Sequence, residues 1–156
     1  MEQVDLGFLE ESPPWLLESR LFPSKAGGKP AWLSLKNIPS FTDGQCKKCE
    51  NAMIFLCQVY APYEDEKIGF ETWENNFHRT LFVFVCRNST CNERNKSDNI
   101  VVFRSNLRRE NDFYSFDPPV ESPDPEFSTS KWINLCNLCG IAAENRCGKC
   151  RNTFYC

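Results

Sequence analysis

Strand-type hydrophobic runs recur along this chain, separated by segments too polar or too rich in proline to pack. Val4 to Leu9 alternates enough to predict a first strand. Ser12 to Trp15 (Ser-Pro-Pro-Trp) breaks it, and Trp15 to Leu21 predicts a short helix or an extended arm. Phe22 to Leu33, FPSKAGGKPAWL, reads as a glycine and proline loop closed by Trp32. Ile54 to Ala61, IFLCQVYA, is apolar at nearly every position and predicts a strand buried on both faces. Pro62 to Asn76 is acidic and polar and predicts a long surface loop with a turn at Gly69. Thr80 to Cys86, TLFVFVC, and Ile100 to Arg104, IVVFR, predict two further strands.

Asp117 to Ser130, DPPVESPDPEFSTS, has four prolines, four acidic residues and no lysine or arginine, which is linker composition. It divides the chain into an N-terminal β domain over 1–116, a linker over 117–131 and a cysteine-rich block over 132–156. The expected fold class is mainly β, an antiparallel domain stapled as a zinc ribbon and followed by a small zinc knuckle.

Composition adds a core and subtracts some partners. The chain has 13 Phe, 4 Trp and 4 Tyr, enough to build a hydrophobic interior. A net charge of −3 argues against direct DNA binding. No run approaches the roughly 18 apolar residues of a membrane span. The start, Met1-Glu-Gln-Val-Asp-Leu-Gly-Phe, lacks the basic and apolar regions of a signal peptide. The expectation is therefore a reducing compartment, the cytoplasm, with the nucleus as an additional possibility.

Ten cysteines carry the candidate chemistry. Cys46-x2-Cys49, Cys86-x4-Cys91, Cys136-x2-Cys139 and Cys147-x2-Cys150 are doublets at metal-ligand spacing, Cys156 ends the sequence, and Cys57 stands alone. Two doublets brought together make a closed four-thiolate site for structural Zn2+, whereas a disulfide framework suits secreted proteins. If the strands at 54–61 and 80–86 pair antiparallel, the start of one lies beside the end of the other. That brings Cys46 and Cys49 to Cys86 and Cys91 and predicts the first zinc.

Cys57 lies mid-strand among apolar neighbours, where a free thiol acts as a small hydrophobe. Pairing it with His78, the only histidine, as a catalytic dyad or recruiting His78 to zinc are weaker readings than a local hydrogen bond at the strand start. Lys25, Gly27, Gly28 and Lys29 hint at a phosphate loop, but the Walker spacing and its Ser/Thr are missing, so a structural turn is expected.

Cys136-x2-Cys139-x7-Cys147-x2-Cys150-x5-Cys156 resembles the opening half of a MYND zinc finger, with Gly140 placed where such knuckles often need a positive φ. On that resemblance Cys136, Cys139 and Cys156 share one zinc with a cysteine expected about four residues further on. Cys147 and Cys150 then need a later His and Cys, so the finger is expected to be incomplete. The alternative is one compact site built from Cys136, Cys139, Cys147 and Cys150.

Leu6–Phe8 (LGF), Phe22–Leu33, the Cys46–Cys49 knuckle, Gln58–Pro62 (QVYAP), Phe77–Arg79 leading into LFVFVC, and Val102–Arg104 with Asn111–Pro119 (NDFYSFDPP) together carry a wider likeness. They resemble the programmed cell death protein 2 family, whose members carry a MYND finger between two halves of a zinc-containing β domain. The resemblance implies a non-enzymatic chaperone that binds the basic small-subunit ribosomal protein S-two during ribosome biogenesis. The competing function is a MYND module docking proline-rich partners in transcriptional regulation. An enzyme is not expected, because one histidine is too few for a zinc hydrolase with its general base. The acidic stretches Glu64–Glu66, Glu71–Glu74 and Asp117–Glu126 are candidate contacts for a basic client, although each reads first as a solvated loop. Arg104, Arg108 and Arg109 form a small basic cluster expected to pair with Glu110 and Asp112. Which surface meets the client is not legible at this level.

Overall fold

The computed structural model describes residues 6–63 and 69–156. Its centre is a four-stranded antiparallel sheet in the order β1 (Lys25–Ala26), β2 (Ile54–Tyr60), β3 (His78–Val85) and β4 (Ile100–Leu107). A short helix, α1 (Phe70–Asn75), precedes β3, and a two-stranded ribbon of β5 (Asn145–Arg146) and β6 (Phe154–Tyr155) lies in the second cysteine block. None of the described helices is long and apolar enough to cross a membrane. The mainly β expectation holds.

Strict alternation along β3 turns His78, Thr80, Phe82 and Phe84 inward, and all four are buried. β4 pairs with β3 residue for residue, from His78↔Leu107 to Val85↔Ile100, and so runs three residues beyond the expected Arg104. β2 differs more from expectation. A bulge at Leu56, between Phe55 and Cys57, breaks its register with β3, and only Phe55 and Gln58 are buried. Leu56 and Val59 remain 48% and 46% exposed, and Val102 on β4 is 55% exposed. The strand's apolar run therefore reflects a sheet covered on one face, with the other face uncovered by any described element.

The expected first strand is not formed over Leu6 to Leu9, which are exposed and outside any ladder; Val4 lies outside the described residues. An alternating pattern makes a strand only where it pairs with a neighbour, and β2 takes its partner on that side from β1, over Lys25↔Gln58 and Ala26↔Cys57. Pro14–Leu17 and Ser19–Leu21 form two successive 3-10 turns, as the prolines at 13 and 14 favour. The supposed loop of Pro62 to Asn76 contains α1 after Gly69, while 64–68, with the acidic stretch Glu64–Glu66, lie outside the described residues.

The core gathers on the covered face. Trp32 packs against Phe82 and Phe84 with ring centroids 4.4 and 5.9 Å away. The Phe22 to Leu33 loop is held there by the buried amide of Gln58, which accepts from Ala31 N at 2.8 Å and donates to Pro23 O at 2.8 Å. Both polar ends are thus satisfied inside, as burial requires. Cys136, Cys139 and Ile141 belong to the same hydrophobic cluster. The Trp32 indole N–H donates to Gly140 O at 2.6 Å, and Ala142 N donates to Pro39 O at 3.2 Å. Arg20 ties down the acidic segment by donating to the carbonyls of Val120 and Ser122.

His78 stacks on Phe22 with centroids 4.2 Å apart, and its Nδ1 sits 2.9 Å from the Tyr60 hydroxyl. Burial pushes the imidazole down to about 4, and the nearby Arg109 guanidinium adds to the effect. The folded state therefore disfavours the proton relative to the unfolded chain, where histidine titrates near about 6.5. Its contribution is complete above about pH 6.5 and is lost as pH falls toward 4. In urea unfolding, the stability gap between the parent chain and His78→Gln should narrow steadily across that window; a constant gap would show that His78 does not titrate this way.

Gly140 sits at φ 75°, and a Cβ there would stand 2.5 Å from Pro30 Cδ. Gly140→Ala should cost about 2 kcal/mol or more, from strain and collision together. Denaturant unfolding followed by Trp fluorescence should show a lower midpoint, and an unchanged midpoint would refute the contact.

Candidate metal centres

One turn is used three times to present sulfur. In each C-x2-C doublet the residue after the second cysteine has positive φ: Glu50 at 59°, Gly140 at 75° and Arg151 at 57°. In each, that residue's N–H donates to the carbonyl of the first cysteine: Glu50 to Cys46 at 2.8 Å, Gly140 to Cys136 at 2.9 Å, and Arg151 to Cys147 at 3.0 Å. The turn points two thiols the same way and leaves inner amides free to face sulfur. Only Gly140 signals it in the sequence; Glu50 and Arg151 adopt it without the usual glycine.

The first centre forms where the β2–β3 hairpin opens. Ile54 pairs with Val85, so Cys46 and Cys49 ahead of β2 meet Cys86 directly after β3. Cys91 arrives on a 3-10 turn, Ser89–Cys91, whose N-cap Asn88 accepts from Thr90 N at 3.1 Å. All four sulfurs lie within 4.8 Å of one another, with Cys49 and Cys86 3.6 Å apart. Cys46, Cys86 and Cys91 are buried. Lys48 bridges to Glu93 and to Asp98, the latter at 3.8 Å, clasping the knuckle to the loop that carries Cys91. Patterning gave no hint of that clasp.

The electrostatics favour one charge here and resist more. The amides of Cys49 and Lys48 lower the Cys46 thiol to about 7. Burial, then the surrounding thiols of Cys49, Cys46 and Cys86, raise Cys91 to about 12. A cation at the centre is what allows neighbouring sulfurs to ionise together.

The second group is Cys136, Cys139 and Cys156, again within 4.8 Å of one another, with Cys139 and Cys156 3.7 Å apart. Pairing of β5 with β6, Asn145↔Tyr155 and Arg146↔Phe154, returns the chain so that Cys156 reaches the first knuckle of this block. Asn137 N donates to Phe154 O at 2.9 Å and locks the return. Burial opposes ionisation of Cys136, but the amides of Cys139, Cys156 and Leu138 outweigh it and bring the thiol to about 6. Cys139 is pushed up to about 12, chiefly by burial and then by the Cys136 and Cys156 thiols.

Cys147 and Cys150 join neither group among the described residues, so the compact set of Cys136, Cys139, Cys147 and Cys150 is not assembled. The Cys150 sulfur instead lies 3.3 Å from the Thr153 hydroxyl, which leads the effects that lower it to about 7.

The dyad is not formed either. Cys57 faces Val83 on the open side of the sheet, while His78 shares the covered side with Thr80 and Phe82. The Arg cluster also pairs otherwise than expected. Arg108 binds Glu74 at 2.8 Å, Asp112 binds Lys36, and Arg109 stacks 4.0 Å from the Phe116 ring centroid. Glu110 acts on Arg108 only through its charge, behind the direct bond from Glu74. The two sulfur groups, by contrast, could each hold a metal ion.

The model of the family described as "Programmed cell death protein 2, N-terminal domain" matches residues 3–121. Programmed cell death protein 2 of Bos taurus is 40% identical over 159 residues, covering 98% of this chain and 43% of its own length. The Rattus norvegicus protein of that name is 40% identical over 158 residues, and that of Mus musculus 39% over 158. The chain thus spans less than half the length of these relatives. No solved structure matches it. With the match running through the loop, the sheet and the knuckles just described, the chain belongs to the programmed cell death protein 2 family.

Proposed function

We propose that this chain is a zinc-stapled, non-enzymatic chaperone segment that binds the basic small-subunit ribosomal protein S-two during assembly of the small ribosomal subunit. Family membership over nearly the whole chain is the observation that carries the reading. Zinc suits the donors: four sulfurs around one ion with bonds of about 2.3 Å stand about 3.8 Å apart. Observed separations of 3.6 and 3.7 Å are close to that value.

Cys46, Cys49, Cys86 and Cys91 would hold the first zinc. Four protein ligands, three of them buried, leave no place for a substrate, so the ion's role is to fold the chain. Cys136, Cys139 and Cys156 would hold a second zinc with one more ligand, and Cys147 and Cys150 would serve the other site of a MYND-type finger. The cytoplasm, and with it the nucleus, supplies the reducing setting these thiols need.

A second reading, a MYND module docking proline-rich regulators, is favoured by apolar residues that the second block leaves exposed, notably Trp132, Leu138 and Tyr155. Affinity purification from cells with quantitative mass spectrometry separates the two. Enrichment of ribosomal protein S-two supports the chaperone, and recovery of proline-rich regulators instead supports the module.

The metal assignment has its own test. Cys86→Ser should lower zinc content by one ion per chain and Tm by about ten degrees or more, since structural zinc supplies on the order of 10 kcal/mol in small domains. Cys57→Ser should leave zinc unchanged and move Tm by only a few degrees. Equal losses from both would mean that the ligands have been misassigned.

A further inference from the structure

Beneath the acidic segment lies a cavity of about 390 Å3 that neither sulfur centre touches. Its apolar lining includes Phe22, Phe113, Phe127 and Val120, and Arg20, Asp117 and Asp124 are the charged residues of its wall. Neither carboxylate has an ion pair among the described residues. The Asp124 carboxylate accepts from the Glu126 amide at 3.0 Å. A hollow that is aromatic in its floor and anionic at its wall suits a cation carried on an apolar stem.

The lining already handles guanidinium and ammonium groups in this manner. Arg20 lies 6.0 Å from the Phe127 ring centroid, with two carbonyls and Glu18 satisfying its donors. Lys36 lies 5.6 Å from the Phe113 ring centroid and pairs with Asp112. Arg20 is ion-paired with Glu18, which leaves Asp117 and Asp124 as the charged residues of the wall without an ion pair among the described residues. A planar guanidinium can stack on a ring and still use its fork of donors on carboxylates, which an ammonium cannot do.

We propose that this cavity receives an arginine side chain from a basic, extended segment of the protein's partner. The inference rests on the chaperone reading, because a basic client is what supplies such a segment. It places the contact on the face formed by residues 20–22 and 113–127, away from the open side of the sheet.

The test uses the zinc-loaded chain and a fluorescent nine-residue peptide alternating arginine and alanine, followed by anisotropy. A citrulline version keeps the stem and plane but removes the charge, and should bind at least tenfold more weakly. Asp117→Asn/Asp124→Asn should weaken the arginine peptide at least tenfold, whereas Glu110→Gln/Glu144→Gln should change it less than twofold. Equal weakening by both double variants, no effect of the first, or stronger binding of a proline-rich nonamer would each overturn the proposal. Capture of ribosomal protein S-two from cells separates this result from the parent reading. Capture that persists in Asp117→Asn/Asp124→Asn refutes the cavity and leaves the chaperone standing. Peptide binding lost in that variant, with no capture even by the parent chain, sustains the cavity and removes the chaperone.

Discussion

Four sulfurs drawn within 4.8 Å at the open end of the β2–β3 hairpin are the constraint on which the rest of this fold depends. The main sheet is a single layer with one covered face, and much of the chain around it is loop and turn. Such a chain buries modest apolar area per residue, so cross-links between distant segments carry a large share of its order. A metal ion held by the sulfur group would supply that link at the hairpin mouth, where the Lys48 clasp to Glu93 and Asp98 already ties the two sides together. With the mouth closed, β3 can present Phe82 and Phe84 to Trp32, and the loop of Phe22 to Leu33 can settle over the sheet.

Much of this was legible in the residues because it depends on local pattern. The runs around β2, β3 and β4 are strand-like by composition, and antiparallel pairing of the first two puts the four cysteines together by geometry alone. What was not legible depends on partners far away in sequence. The apolar run of β2 predicts two buried faces, yet a bulge at Leu56 and an uncovered outer face answer to the number of layers, which pattern does not encode. The alternation of Val4 to Leu9 is present in the sequence, but Leu6 to Leu9 find no partner strand, and alternation alone does not supply one. α1 was hidden because six residues following a glycine give periodicity too little length to register.

The sulfur knuckles show the same division. Their spacing is visible at once, whereas the positive φ at Glu50 and Arg151 is invisible without the backbone. The grouping of Cys156 with Cys136 and Cys139, which the MYND resemblance implied, is made by the β5–β6 return, a ribbon of two residues per strand that no propensity scale would detect. The aromatic cavity is similar, since Arg20 reaches across about a hundred positions to hold the segment that roofs it. Reading Asp117 to Ser130 as linker describes its composition well and omits that it is pinned.

The hydrogen bond from Trp32 to Gly140 joins residues 108 positions apart and has a bearing on biosynthesis. A growing chain emerges from its N-terminus at about 5–20 residues per second, so Trp32 precedes its partner by several seconds or more. Phe82 and Phe84 emerge in between, with β3 ready to pair but with Ile141 and its knuckle still unmade. During that interval the part of the core that Cys136, Cys139 and Ile141 later cover is open to water and to other nascent chains. High sequence separation makes this closing contact slow to form even once all its parts exist. The nascent polypeptide therefore passes through a stage in which its own hydrophobic surface is the one in need of shelter.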